Sequence, residues 1–206
     1  MTPDMDFISN KIAKLNEMIK PCTLHEDGRC NSLGDEESII EMLRKHFGEK
    51  HVVKPRPRFW YDVLFFGIPL QIKSSSFSNN AADNFSSKRA ILWALTDMTI
   101  EEVSKSPTAW KKFDETLFSR IDDLPNRDYH ILVFDKDTKQ LHIRSLRTLQ
   151  SLTANGSNLP FQINWQKNLT IVKRDFEDAK DFILSGYRES ASRAVGRHKG
   201  ILSYGE

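Results

Sequence analysis

A chain of 206 residues, 39% of them apolar, is long enough for one domain whose core needs neither disulfides nor a structural metal. Its 30 basic and 28 acidic side chains nearly cancel, at +2, which excludes a bulk polycationic tail; any grip on a polyanion must come from charge concentrated on one surface. No apolar run reaches the roughly eighteen residues of a membrane span, residues 1–6 lack the basic start and apolar run of a secretory signal, and two cysteines suit a reducing cytoplasm.

Phe7, Ile8, Ile12, Leu15 and Ile19 recur at helical spacing, and Pro21 ends the run. Residues 22–34 are polar and turn-rich. A second helix starts near Asp35, with Ile39, Ile40, Leu43 and Phe47 on its apolar face and Gly48 as its stop. Residues 52–58 hold two prolines and three cations and read as a loop or edge segment. Phe59 to Phe66 is aromatic and β-branched, hence a strand; Gly67 to Pro69 is a turn, and Leu70 to Lys73 begins the returning strand of a hairpin.

Ser74 to Asn84 reads as a long polar loop. Helical signals run from Ser86 to Leu95 and, in part, through 100–123. Tyr129–Asp135 and Leu141–Ile143 are strands around an Asp-Lys-Asp-Thr-Lys turn. Residues 151–160 are a polar loop, 175–184 a helix, and 185–206 a basic tail. Strands flanked by helices predict an α/β (α+β) domain spanning 1–206, built on one central mixed sheet.

The chemistry-bearing stretch is Tyr61-Asp62 and, nine positions after Asp62, Gln71-Ile72-Lys73. On a hairpin, Gln71 and Lys73 share one face of a strand while Ile72 points into the core. Asp62 and the Gln71 carbonyl are oxygen ligands of the type Mg²⁺ takes. Lys73 is placed to orient a water and offset charge on a phosphate. The bare spacing is common, and a half-exposed hairpin with a polar wet face is the alternative. Glu36 falls on the apolar face of its helix, at helical spacing from Ile40, Leu43 and Phe47. A core-facing carboxylate needs a cation or hydrogen-bond partners, so metal proximity and an N-terminal dipole contact are both open. Glu37 and Glu41 read as solvated charges.

These residues resemble a type II restriction endonuclease of the PD-(D/E)XK superfamily, near the branch of EcoRV-like and HincII-like enzymes. In that superfamily a helix glutamate precedes a hairpin carrying an acid and then an acid-x-Lys triplet. Glu36, Asp62 and Gln71-Ile72-Lys73 stand in those places. Ala82 to Lys88, Ala94 to Thr96 and Asn155 to Asn164 add to the likeness, which is strongest over 32–96 and looser over 129–184. Tyr61 replaces the name-giving proline, and Gln71 replaces an acidic ligand. The resemblance implies a restriction-endonuclease-like core, Mg²⁺, double-stranded DNA with a short palindromic site, a homodimer, and a partner DNA methyltransferase. It makes 32–96 the catalytic core and 129–184 the second part of the sheet with a recognition loop.

Such an enzyme must read base edges and hold phosphates. Asn155, Asn158, Gln162 and Asn164 each offer a paired donor and acceptor that suits adenine. Gly156 would let the backbone approach closely, beside Ser157. Asn79, Asn80 and Asn84 follow Lys73 and are a second reading candidate. Ser86, Ser87 and Lys88 at a helix start fit a phosphate, with a plain N-cap as the alternative. Arg188, Arg193, Arg197, His198 and Lys199 would grip the backbone or form a loose tail. Cys22, His25 and Cys30 lack a fourth zinc ligand and read as free thiols beside a surface histidine. The four tryptophans read as core. Competing functions are a repair nuclease or junction resolvase of the same fold, and a DNA-binding module whose site has decayed at Gln71.

Overall fold

The computed structural model describes residues 3–19, 36–78, 82–85, 87–122, 127–157 and 160–194. Its spine is the strand β3 (Ile68–Ser75). β3 pairs antiparallel with β2 (Val63–Phe65), which pairs with the short edge strand β1 (Val52–Val53). On its other side β3 runs parallel to a strand we number β5 (His130–Asp135), and β5 pairs antiparallel with β6 (Gln140–Ser145). The result is one mixed sheet in the order β1-β2-β3-β5-β6.

Helices cover both faces. α1 (Pro3–Ile19) and α2 (Glu36–Phe47) lay Met5, Ile8, Ile12, Ile39 and Leu43 against Val63, Phe65, Leu70, Ile72, Leu132 and Phe134. The opposite face, with Ile131 and Val133, packs under α3 (Lys88–Leu95), α4 (Ile100–Lys105), α5 (Trp110–Ser119) and α6 (Phe176–Arg193). Trp60 and Trp165 are buried there, and Trp93 and Trp110 are partly buried against the same core. This division fixes the register of β3. A slip by one residue would turn Leu70 and Ile72 out of the core and Gln71 and Lys73 into it, at about 2 kcal/mol for each apolar side chain exposed. Among the described residues no helix is long and apolar enough to cross a membrane.

The helices and the mixed sheet follow the sequence pattern, but several boundaries move. The first strand of the hairpin is Val63–Phe65, not Phe59–Phe66. Phe59 to Asp62 bends away because Trp60 and Tyr61 bury themselves against α3 and Tyr129. The turn is Phe66–Gly67, one position earlier than expected, with Phe65 opposite Ile68. Both turn residues have positive φ, 51° and 83°, the hand that a two-residue hairpin needs. Phe66 is held there by stacking on His51 at 4.2 Å and an edge contact with Phe7 at 5.2 Å. Phe7, placed by its spacing on the buried stripe, is therefore 39% exposed.

The expected loop Ser74–Asn84 is also not one loop. β3 continues to Ser75, and Ala82–Phe85 forms β4. β4 pairs antiparallel with β7 (Phe161–Asn164), which ends the run Asn155–Asn164 offered above for base edges. The helix expected over 175–184 runs on to Arg193, capped at its start by Asp175, whose carboxylate accepts the Asp178 N–H at 2.9 Å. Arg188 and Arg193 are thus helical rather than part of a tail.

Candidate active site

Asp62 sits where the chain leaves the buried Trp60–Tyr61 pair and enters the sheet. The Trp60 carbonyl accepts the Tyr129 hydroxyl at 2.8 Å, and the Asp62 N–H donates to Leu70 O at 3.0 Å. Asp62 Oδ2 then accepts the N–H of Ile72 at 2.7 Å. The carboxylate is thereby fastened to the strand residue that lies between Gln71 and Lys73. Burial raises the Asp62 pKa above its ordinary value; the Ile72 N–H lowers it, the Glu36 charge raises it and the Lys73 charge lowers it.

Gln71 and Lys73 project from the β3 face opposite Ile72, as the alternation requires. Gln71 lines the same cleft as Asp62, about 280 Å³ in volume. The Gln71 Oε1 atom is buried and has no hydrogen-bond partner among the described residues. Leaving such an oxygen unsatisfied costs roughly 1–3 kcal/mol. Lys73 reaches the other way, to Glu36 Oε1 at 3.2 Å. Glu36 is the first residue of α2 and its side chain is half exposed, so it does not face the core as its helical spacing implied. It instead closes one side of the site through Lys73. Glu37 is exposed, as expected, and pairs with Lys54.

The oxygen donors fit a hard cation. Asp62 keeps Oδ1, Gln71 offers an unsatisfied carbonyl oxygen, and Glu36 stands across Lys73. Among the described residues no three His, Cys, Asp or Glu side chains form a metal-holding group. Mg²⁺ suits a sparse set because it retains several waters.

The β4–β7 ribbon borders this site: Asp83 and Asn84 share a small cavity with Gln71 and Lys73. Asn84 Oδ1 accepts from Gln162 Nε2 at 2.7 Å across the ribbon. Asp83, which the sequence reading missed, accepts the Trp165 indole N–H. Polar residue types gave no strand signal here, so its position beside Lys73 was hidden.

The remaining candidates scatter. Asn164 is buried and its side-chain oxygen accepts the Lys167 N–H, so it does not read bases. Asn155 Oδ1 accepts the Ser157 N–H at 2.9 Å, making a local turn. A Cβ on Gly156 would lie 2.7 Å from the Arg193 backbone, so that glycine serves close packing on α6. Ser87 is the N-cap of α3, accepting from Ala90 N. Lys88 donates to Thr108 O and lies over the Trp110 ring at 3.9 Å, so this helix start fits the plain-cap alternative. Arg193 is tied to Ala154 O and Glu189. Asn79, Asn80, Ser86, Asn158, Arg197, His198 and Lys199 lie outside the described residues, as do Cys22, His25 and Cys30.

Sequence reasoning named Lys88 but missed Arg58 and Arg89 beside it at the cleft. Arg58, Lys88 and Arg89 line it with Asp62 and Gln71. A second cleft of about 340 Å³ adds Lys54, Arg56 and Glu36 on the other side of Asp62. Compared with models of known families, with curated proteins and with solved structures, the chain matches none.

Proposed function

We infer that this chain is a Mg²⁺-dependent endonuclease that hydrolyses phosphodiester bonds of double-stranded DNA, of the type II restriction kind with a restriction-endonuclease-like core. The observation that carries this reading is that Asp62 and Gln71 line one cleft, with Lys73 on the same strand face as Gln71 and no described residue donating to the Gln71 oxygen. A buried oxygen without a donor is costly in a protein that binds nothing there. An oxygen-bound cation removes that cost.

Asp62 and Gln71 would hold the ion, with Glu36 as a further carboxylate. When bound, Mg²⁺ polarises a phosphate and lowers the pKa of a water it carries. Lys73 offsets charge on the phosphate and orients the attacking water. Glu36 is within reach of the Lys73 ammonium, at 3.2 Å, and would share it with the phosphate. The Asp62–Ile72 hydrogen bond keeps acid, amide and lysine in fixed relation, the preorganisation that such chemistry needs. The amides of Asn84 and Gln162, on a ribbon beside Lys73, suit adenine edges. A homodimer on a short palindrome, paired with a protecting DNA methyltransferase, completes the reading.

The test is incubation of purified protein with unmethylated phage DNA and Mg²⁺. Discrete fragments are expected. A smear favours a repair nuclease or resolvase of the same fold, and intact DNA favours a decayed binding module.

A further inference from the structure

The two clefts flanking Asp62 are lined by five cations, Lys54, Arg56, Arg58, Lys88 and Arg89, against three carboxylates, Glu36, Glu37 and Asp62. After β1 the chain runs Lys54-Pro55-Arg56-Pro57-Arg58. Each proline fixes its own φ and restricts the residue before it, so the cations are presented on a stiff segment. Lys54 is paired with Glu37. Arg58 lines both clefts and has no hydrogen-bond or ion-pair partner among the described residues.

Arg58 also has a φ of 59°. Among the described non-glycine residues only Phe66 and Lys139 share that sign, and both sit in hairpin turns. Arg58 has no hairpin to justify it. A left-handed backbone at an arginine is sustained only where its surroundings impose it, and such outliers gather at binding sites.

Arg89 enters the same cleft from the first turn of α3. One guanidinium nitrogen donates to Ser106 O at 3.1 Å, while the buried Nε has no partner among the described residues. Burial, and then the nearby charge of Arg56, hold the Arg89 pKa below its ordinary value. Arg56 itself lies over the Phe59 ring at 5.5 Å. Arg58 thus shares one cleft with Arg56 and the other with Arg89, and no carboxylate is bonded to any of the three among the described residues.

Resting on the nuclease reading above, we propose that Arg56, Arg58 and Arg89 form a second anion subsite that holds the DNA phosphate next to the one placed on Asp62, Gln71 and Lys73. Guanidinium forks match phosphate oxygens, and an anion between like charges removes their repulsion. The contact carries no sequence information. It sets register, so that the scissile bond falls on Asp62.

The experiment is equilibrium binding of the full chain to a short fluorescent duplex of arbitrary sequence in EDTA, over a salt series, with thermal melting of each variant as the fold control. Arg58→Gly suits it because glycine relieves the left-handed backbone while removing the charge. Arg58→Gly and Arg56→Gln should each lower the salt slope by about one and weaken binding equally on all duplexes, while Arg58→Lys keeps the wild-type slope. Arg89→Gln should do the same where its melting is unchanged. If the wild type binds and all neutral variants keep its slope, the subsite is wrong and the nuclease reading stands. If the wild type binds no duplex at low salt, both fall.

Discussion

Asp62 and Ile72 are joined by a 2.7 Å hydrogen bond from a backbone N–H to a carboxylate oxygen. Ile72 is buried against α1 and α2, so this bond ties the acid of the site to the sheet core. It leaves the second oxygen of Asp62 uncommitted. Asn at this position can still accept the Ile72 N–H, which separates charge from geometry.

Asp62→Asn should raise stability at neutral pH. Burial is the first cause of the raised Asp62 pKa, so in the folded state the ionised form is disfavoured. The penalty is fully present above the folded pKa and fades as pH falls through it toward the ordinary 3.8. Melting of wild type and variant from pH 3 to 8 checks this: the variant's advantage should vanish at the acid end. An advantage that grows on acidification would contradict the sign.

Gln71 separates stability from function. Gln71→Leu removes a buried oxygen without a partner and should stabilise the metal-free protein by about 1 kcal/mol, while cutting fails. Gln71→Glu adds a second buried carboxylate near Asp62, so it should be destabilised without metal. Mg²⁺ should then raise its melting temperature more than that of wild type, because a ligand that binds the folded state stabilises it. Equal Mg²⁺ responses in Gln71→Glu, Gln71→Leu and wild type would remove Gln71 from the metal site.

Glu36→Gln tests the acid across Lys73. The pair is separated by 3.2 Å with both side chains partly exposed, and such pairs contribute under about 1 kcal/mol. Melting should therefore barely change. The Mg²⁺ concentration for half-maximal single-turnover rate should rise. An unchanged requirement would reduce Glu36 to a surface partner of Lys73.

On the ribbon, Gln162→Ala should relax preference at one base position by about 1–3 kcal/mol, the usual worth of a bidentate base contact. Binding to a panel of duplexes in Ca²⁺ measures this. A uniform loss across the panel would make Gln162 a backbone contact instead.

That Gln71 and Lys73 share one face of β3 was legible because strand alternation is local and Leu70 and Ile72 mark the core face unaided. Glu36 was placed wrongly by the same kind of arithmetic. Helical spacing assigns a face, but side chains point back toward the helix N-terminus, so a first-turn residue reaches past the helix end, here to Lys73. The β4–β7 ribbon was illegible for another reason. Ala-Asp-Asn-Phe has no β-branched residue, and its strand exists through pairing with Phe161–Asn164, about eighty residues away. The cations of 54–58 were plain in the sequence, but their nearness to Arg89 depends on the packing of Trp60 under α3.

The metal-dependent cleavage site proposed at Asp62 is tested most directly by removing its carboxylate. Wild type and Asp62→Ala are incubated with unmethylated phage DNA in Mg²⁺ and in EDTA, with gel-shift binding in Ca²⁺ as control. Wild type should cut in Mg²⁺ alone, and Asp62→Ala should bind yet cut at less than about a tenth of the wild-type rate. Cleavage by Asp62→Ala at the wild-type rate, or by wild type in EDTA, would contradict the account.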